Sequence, residues 1–233
     1  MNVLKYIPNT ITCLNLISGC MAIVAALNGD LRGTILWIIA ASVFDFTDGL
    51  AARLLKAYSP LGKELDSLSD IVSFGVAPGM ALFMLLKAAA GVIGLSGIAV
   101  LLPYLAFVIP VFSALRLAKF NIDERQTVSF IGMPVPAHAL LWGSLACTLQ
   151  PYVAIHASTL LYGCILLAVA TSYLLVSELP MFSMKVKSLS WKGNEQRYVL
   201  GGCGLVFVIL FKIPGVAATI LLYILLSLFN RKE

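Results

Sequence analysis

Apolar runs follow one another from end to end of the chain, separated by short polar or Gly/Pro clusters such as Asn28-Gly29-Asp30 and Ile213-Pro214-Gly215. A helix that crosses a bilayer needs roughly 20 apolar residues, each rising about 1.5 Å. On that ruler the pattern predicts an all-α fold, a polytopic membrane bundle of about eight transmembrane helices. They fall over residues 7–27, 31–55, 62–89, 98–119, 134–149, 157–176, 198–211 and 214–229, the fifth and seventh being short. The runs leave no room for a soluble unit, so residues 1–233 are expected to form a single membrane domain. The first run carries Asn9, Thr10, Thr12 and Asn15 and follows only one lysine. It therefore reads as a permanent span rather than a cleaved signal.

Composition supports the membrane reading. Hydrophobic residues make up 60% of the chain and charged residues 12%, with a mean hydropathy of +0.97, whereas soluble domains carry about 25% charged residues. Cys13, Cys20, Cys147, Cys164 and Cys203 all lie in apolar runs without a CxxC pair, as small helix side chains do. The placement of charge predicts orientation. With the N-terminus in the cytoplasm, the opposite side receives only Arg32, Lys87 and Lys212 of the 16 basic residues. The cytoplasmic side receives Lys5, Arg53, Lys56, Lys63, Arg116, Lys119, Arg125, Lys185, Lys187, Lys192, Arg197, Arg231 and Lys232. An even number of spans with both termini cytoplasmic follows. The net charge of +5 is then a topology signal, with attraction to anionic lipid secondary, and nucleic acid is not an expected partner.

Four of the 11 acidic residues, Asp45, Asp48, Asp66 and Asp70, fall inside apolar helices around one loop. Ionisable groups in a membrane are costly and mark function. Asp45 and Asp48 are three apart and Asp66 and Asp70 four apart, so each pair occupies one helix face. About the loop at 55–61 the helices run antiparallel, which matches Asp45 with Asp70 and Asp48 with Asp66 in depth. Asp45 lies about 15 Å along its helix from that loop. Four carboxylates so placed repel one another, and bound cations remove the repulsion. Oxygen ligands without Cys or His favour Mg²⁺ or Mn²⁺ over zinc. Two such ions are the usual partners of displacement at a phosphate ester.

In full the stretch reads Asp45-x2-Asp48-Gly49-x2-Ala52-Arg53-x8-Gly62-x3-Asp66-x3-Asp70. At every fixed position it resembles the signature of the CDP-alcohol phosphatidyltransferase family. The resemblance implies that the site binds the CDP portion of a CDP-linked lipid. Asp45, Asp48, Asp66 and Asp70 would hold two metal ions around the diphosphate, with Asp70 also the general base. Gly49, Arg53 and Ser59 match positions lining the nucleotide and diphosphate. The small Gly49 and Ala52, with Gly62, would leave room for the nucleotide, and Arg53 would meet a phosphate. Asn9 and Thr12 occupy the place of further nucleotide contacts, although a Pro/Asn helix start at a membrane boundary accounts for them too. The resemblance also implies a homodimer.

Other segments narrow the acceptor. Arg116-Leu117-Ala118-Lys119-Phe120-Asn121 and Phe130-Ile131-Gly132-Met133-Pro134-Val135-Pro136-Ala137 resemble the phosphatidylserine synthase branch. So do Ile7-Pro8-Asn9-Thr10-x-Thr12-x2-Asn15-Leu16-x2-Gly19 and Val176-Ser177-Glu178-Leu179-Pro180-Met181-Phe182-Ser183-x-Lys185. This resemblance implies CDP-diacylglycerol and L-serine as substrates and phosphatidylserine and CMP as products. Serine is a zwitterion, and Arg116, Lys119 and Asn121 are the candidates to bind it. Flanking charge accounts equally for Lys119. His138 and His156, with no metal-spaced partner, read as packing or helix-boundary residues. No Ser, Cys or His sits within the aspartate motif as an evident nucleophile, so direct in-line displacement is expected, with Ser67 and Ser69 as the open alternatives. Glycerol 3-phosphate or an inositol phosphate would suit the same chemistry but calls for a denser basic cluster. A cation transporter, the reading from another class, leaves the Gly/Ala/Arg spacing unexplained and would show a second acidic motif.

Overall fold

A computed structural model of the protein describes residues 6–123, 130–181 and 194–229. Lys5, Arg125, Phe182, Ser183, Lys185, Lys187, Lys192, Arg231 and Lys232, named above for topology or resemblance, lie outside the described residues. The fold is all-helical apart from one two-residue ladder. Helix α1 covers Ile7–Leu27 and packs along α2, Leu31–Leu54. The side chain of Asp30 caps α2 by accepting from the Gly33 amide at 2.8 Å.

A third long helix runs over Pro60–Ile93 in three parts: α3 (Pro60–Asp70), a π-helical stretch (Ile71–Val76) and α4 (Ala77–Ile93). Ser59 caps α3 by accepting from the Gly62 amide at 3.0 Å, with Pro60 in the first turn, where its missing N–H costs nothing. The π stretch touches α1, α4, α5 and α6, and its Ser73, Phe74 and Gly75 are buried. It is thus central in the bundle.

The next span begins as a 3₁₀ helix over Gly97–Phe107 and becomes α-helical only in α5, Val108–Ile122. Pro103, which lacks an N–H to donate, lies within the 3₁₀ part of what the apolar pattern predicts as one α-helix. A short ladder pairs β1 (Phe130–Ile131) with β2 (Pro180–Met181). Between them lie α6 (Val135–Leu149) and α7 (Val153–Val176), followed later by α8 (Glu195–Phe211) and α9 (Ile213–Phe229).

Residues Val135–Val176 form one apolar helical run of 42 residues, yet it is not straight. His138 Nε2 and Trp142 Nε1 lie 3.1 and 3.0 Å from Thr171 Oγ1, residues that a continuous helix would separate by roughly 44–50 Å. The run folds back at Gln150–Tyr152 as an antiparallel hairpin, with a non-helical residue at His156. His138 is fully buried in this network, in keeping with a packing residue.

Five helical stretches are long and apolar enough to cross a membrane. Large apolar side chains cover the outside: Ile98 is 87% exposed and Leu54, Ile155 and Leu166 are each 74% exposed. An apolar exterior of this extent fits an integral membrane protein and no soluble one. Inside, one cluster groups Phe74 with Ala22, Ile35, Ile38 and Ala41, and a second groups α4 residues such as Leu82 and Leu86 with Trp142 and Leu161.

Candidate metal and nucleotide cleft

Three helices build the site in layers one turn apart. Helices α1 and α3 run away from the mouth while α2 runs toward it, so residues three to four apart on each face stack in depth. At the mouth stand Asn9, Ala52 and Gly62, below them Thr12, Asp48 and Asp66, and deepest Asn15, Asp45 and Asp70. The upper two layers enclose a cleft of about 220 Å³, lined by Pro8, Asn9, Thr12, Asp48, Gly49, Ala52, Ala57, Tyr58, Ser59, Gly62, Lys63 and Asp66.

The carboxylates of Asp45, Asp48 and Asp66 converge, with one oxygen of each within 4.8 Å of the others. Thr12 adjoins Asp48 from α1. Asp48 Oδ2 and Asp66 Oδ1 are buried without a hydrogen-bond partner among the described residues. A buried carboxylate oxygen left this way is costly, so a cation at their meeting point fits the donor set. The all-oxygen ligands suit a hard divalent ion. Asp70 is not among the three converging carboxylates. It is buried, within electrostatic reach of Asp45 and Asp66, and accepts from Asn15 Nδ2 at 3.2 Å.

Helix α1 is laced to α3 and to the π stretch around that bond. Ser69 Oγ donates to the Thr12 carbonyl at 3.3 Å and Ser73 Oγ to the Asn15 carbonyl at 3.0 Å. Gly19 sits on the Ser73 backbone, where a Cβ would lie 2.7 Å from Ser73 Cα. At the mouth, Gly62 lets α1 approach, since a Cβ there would come within 2.9 Å of Asn9 Oδ1. Gly49 faces open space in the cleft, where a Cβ would meet only Arg53 Nη2, at 3.9 Å.

The structure thus gathers Asn9, Thr12, Asp48, Gly49, Ala52, Ser59, Gly62 and Asp66 on one cleft. Arg53 lies beside it, exposed, its Nε donating to the Gly49 carbonyl at 2.9 Å. Sequence reasoning missed Ala57, Tyr58 and Lys63. Lys63 was legible, being three residues from Asp66 and so on its face, but a lysine beside a membrane span reads first as topology charge.

The residues assigned to serine do not line this cleft. Arg116 is buried, stacks its guanidinium carbon 4.9 Å from the Phe120 ring centroid, and faces Asp123 and Tyr223. Lys119 Nζ donates to the Val176 carbonyl at 3.4 Å and lies 3.7 Å from Glu178, closing the C-terminal end of α7. Asn121 is tied to α3: its Nδ2 donates to Ser67 Oγ at 2.9 Å and its carbonyl accepts from Lys63 Nζ at 3.3 Å. Through Lys63, Asn121 reaches the cleft wall.

Fold and cleft together define a multi-pass membrane protein with a cluster of three converging carboxylates able to hold a metal ion. The chain belongs to the CDP-alcohol phosphatidyltransferase family, whose model matches residues 5–191. It is 37% identical over 179 residues to the CDP-diacylglycerol–serine O-phosphatidyltransferase of Bacillus subtilis (strain 168), covering 76% of this chain and 89% of that one. The enzyme of the same name from Mycobacterium leprae (strain TN) is 37% identical over 194 residues, 80% of this chain and 61% of its own length. That of Methanocaldococcus jannaschii is 33% identical over 162 residues, 70% of this chain and 71% of that one.

Proposed function

We propose that this protein transfers the phosphatidyl group of CDP-diacylglycerol to the hydroxyl of L-serine, giving phosphatidylserine and CMP. The observation that carries the reading is the cleft itself, which joins a small-residue wall to a carboxylate floor. The names of the relatives support serine as acceptor.

In this reading Asp45, Asp48, Asp66 and Asp70 would hold two divalent cations, Mg²⁺ or Mn²⁺, which when bound would neutralise the diphosphate and stabilise the departing CMP. Gly49, Ala52 and Gly62 admit the nucleotide, while Asn9, Thr12 and Ser59 offer it polar contacts and Arg53 a phosphate contact. Asp70 accepts the proton of the serine hydroxyl as that oxygen bonds to the lipid-linked phosphorus and the bond from phosphorus to CMP breaks. Arg116 and Asn121 serve the serine side, Arg116 as the cation for its carboxylate. The reading includes eight spans, reached by counting the α6–α7 hairpin as two and adding α8 and α9. It includes one domain, both termini and the cleft mouth on the cytoplasmic side, and a homodimer.

The test is CMP release by purified protein in detergent with CDP-diacylglycerol and Mn²⁺ or Mg²⁺, comparing L-serine with glycerol 3-phosphate and inositol phosphate. Metal-dependent release stimulated by serine alone, and lost in Asp70→Asn, is the expected result. Stimulation by a phosphorylated polyol would overturn the acceptor, and metal binding with no turnover on any acceptor would overturn the transferase reading.

A further inference from the structure

Asn15 lies one turn below Thr12 on α1 and is completely buried. The two polar atoms of its side-chain amide are in unequal positions. Nδ2 donates to Asp70 Oδ1 at 3.2 Å, whereas Oδ1 is buried and accepts from no described residue. The amide cannot turn over to change this, because a carboxylate only accepts and so holds the NH₂ toward itself. The backbone is pinned as well, by the hydrogen bond from Ser73 Oγ to the Asn15 carbonyl. A rigidly held, buried acceptor without a donor is a position that calls for a partner from outside the chain.

The chemistry of that partner follows from the neighbour. Asp70 takes the one proton of the attacking hydroxyl, so a second acceptor beside it needs another donor on the same molecule. An amino alcohol with the ammonium on the adjacent carbon has that donor, with three N–H groups and a charge that strengthens the bond. A phosphorylated polyol has no cation to offer.

Resting on the serine-transfer reading above, we propose that Asn15 links the two halves of acceptor recognition. Nδ2 positions the Asp70 carboxylate, and Oδ1 accepts a hydrogen bond from the ammonium of the amino-alcohol substrate. Asn15 is a positioning residue toward Asp70 and a specificity residue toward the substrate.

Two variants of the full chain separate these roles. Asn15→Leu removes both hydrogen bonds in a similar volume. Its serine KM rises roughly tenfold to a hundredfold, the range set by losing a hydrogen bond to a charged group. Its kcat falls too, while the KM for CDP-diacylglycerol is unchanged. Asn15→Asp keeps an acceptor for the ammonium but has no N–H for Asp70, so kcat falls while serine KM stays near that of the unmodified protein. An unchanged serine KM in Asn15→Leu overturns the proposal. So does a parallel rise of both KM values with weakened Mn²⁺ binding, which marks a loosened α1. If the leucine variant does not fold, the aspartate variant decides alone, because kcat and serine KM must part. Serine-dependent release by the unmodified protein is measured alongside. Its absence sinks the acceptor reading, whereas its presence with an indifferent Asn15→Leu sinks only the role of Asn15.

Discussion

Replacing Gly19 by alanine puts one methyl group into the seam between α1 and the π stretch. The new Cβ would lie 2.7 Å from Ser73 Cα and 2.9 Å from Ser73 N. These are backbone atoms, so no rotamer change relieves the contact and the helices must separate. Overpacking of this kind costs about 1–3 kcal/mol. Stretching the hydrogen bond from Ser73 to the Asn15 carbonyl adds about 1 kcal/mol. The better helix propensity of alanine returns about 1 kcal/mol, leaving a net loss of roughly 1–3 kcal/mol. Gly163→Ala is the matched control, since a Cβ there meets nothing within 4 Å and only the propensity gain applies. Thermal unfolding in detergent, followed by tryptophan fluorescence, should show Gly19→Ala lower by roughly 2–12 °C and Gly163→Ala unchanged or higher. CMP release should also fall in Gly19→Ala, because the separation pulls Asn15 from Asp70. Equal melting temperatures for the two variants would refute the close packing of α1 on Ser73.

Other expectations follow from the same contacts. Asp48→Asn removes one of the three converging carboxylates; calorimetric titration with Mn²⁺ should show affinity lower by tenfold or more, roughly the range of a lost charge-assisted contact, with activity partly restored at high Mn²⁺. Stripping divalent ions with a chelator should abolish CMP release, and adding Mn²⁺ back should restore it, while the circular dichroism of the helical bundle stays unchanged. Thr171→Val removes the partner of both Trp142 and His138; denaturation in detergent should show a loss of about 2–6 kcal/mol for two buried groups left unpaired, with the KM for each substrate unaltered.

The aspartate hairpin was legible because its information is local. Spacing of three and four residues fixes a face, and one loop fixes the depth, so Asp45, Asp48 and Asp66 could be brought together from the sequence. The bounds of α1 and α2 were legible too, since Asn28-Gly29-Asp30 marks the turn between them. What escaped depends on contacts far apart in the chain. The bond from Asn15 to Asp70 spans 55 positions, and no periodicity announces which polar residue of α1 will meet it. The π stretch has no composition signal either, and Ile71–Val76 reads as ordinary apolar helix. Lys119 shows the opposite difficulty: a cation can be placed at a helix end from sequence, but whether it closes α7 or faces a substrate is decided by packing against Val176 and Glu178.

The π-helical stretch gives the third long helix a change of phase. One residue more than an α-helix would use is accommodated there, which turns everything after Val76 by about 100° relative to everything before it. The polar face carrying Asp66, Ser69, Asp70 and Ser73 therefore ends at the stretch, and the apolar face of α4 begins with its own heading. The helix works as two rods joined by a fixed offset, one keyed to the cleft and the other to α6 and α7. Excising a single residue between Ile71 and Val76 would bring the rods back into register and force a choice between them: with α4 held by its neighbours, Asp66 and Asp70 would swing away from α2.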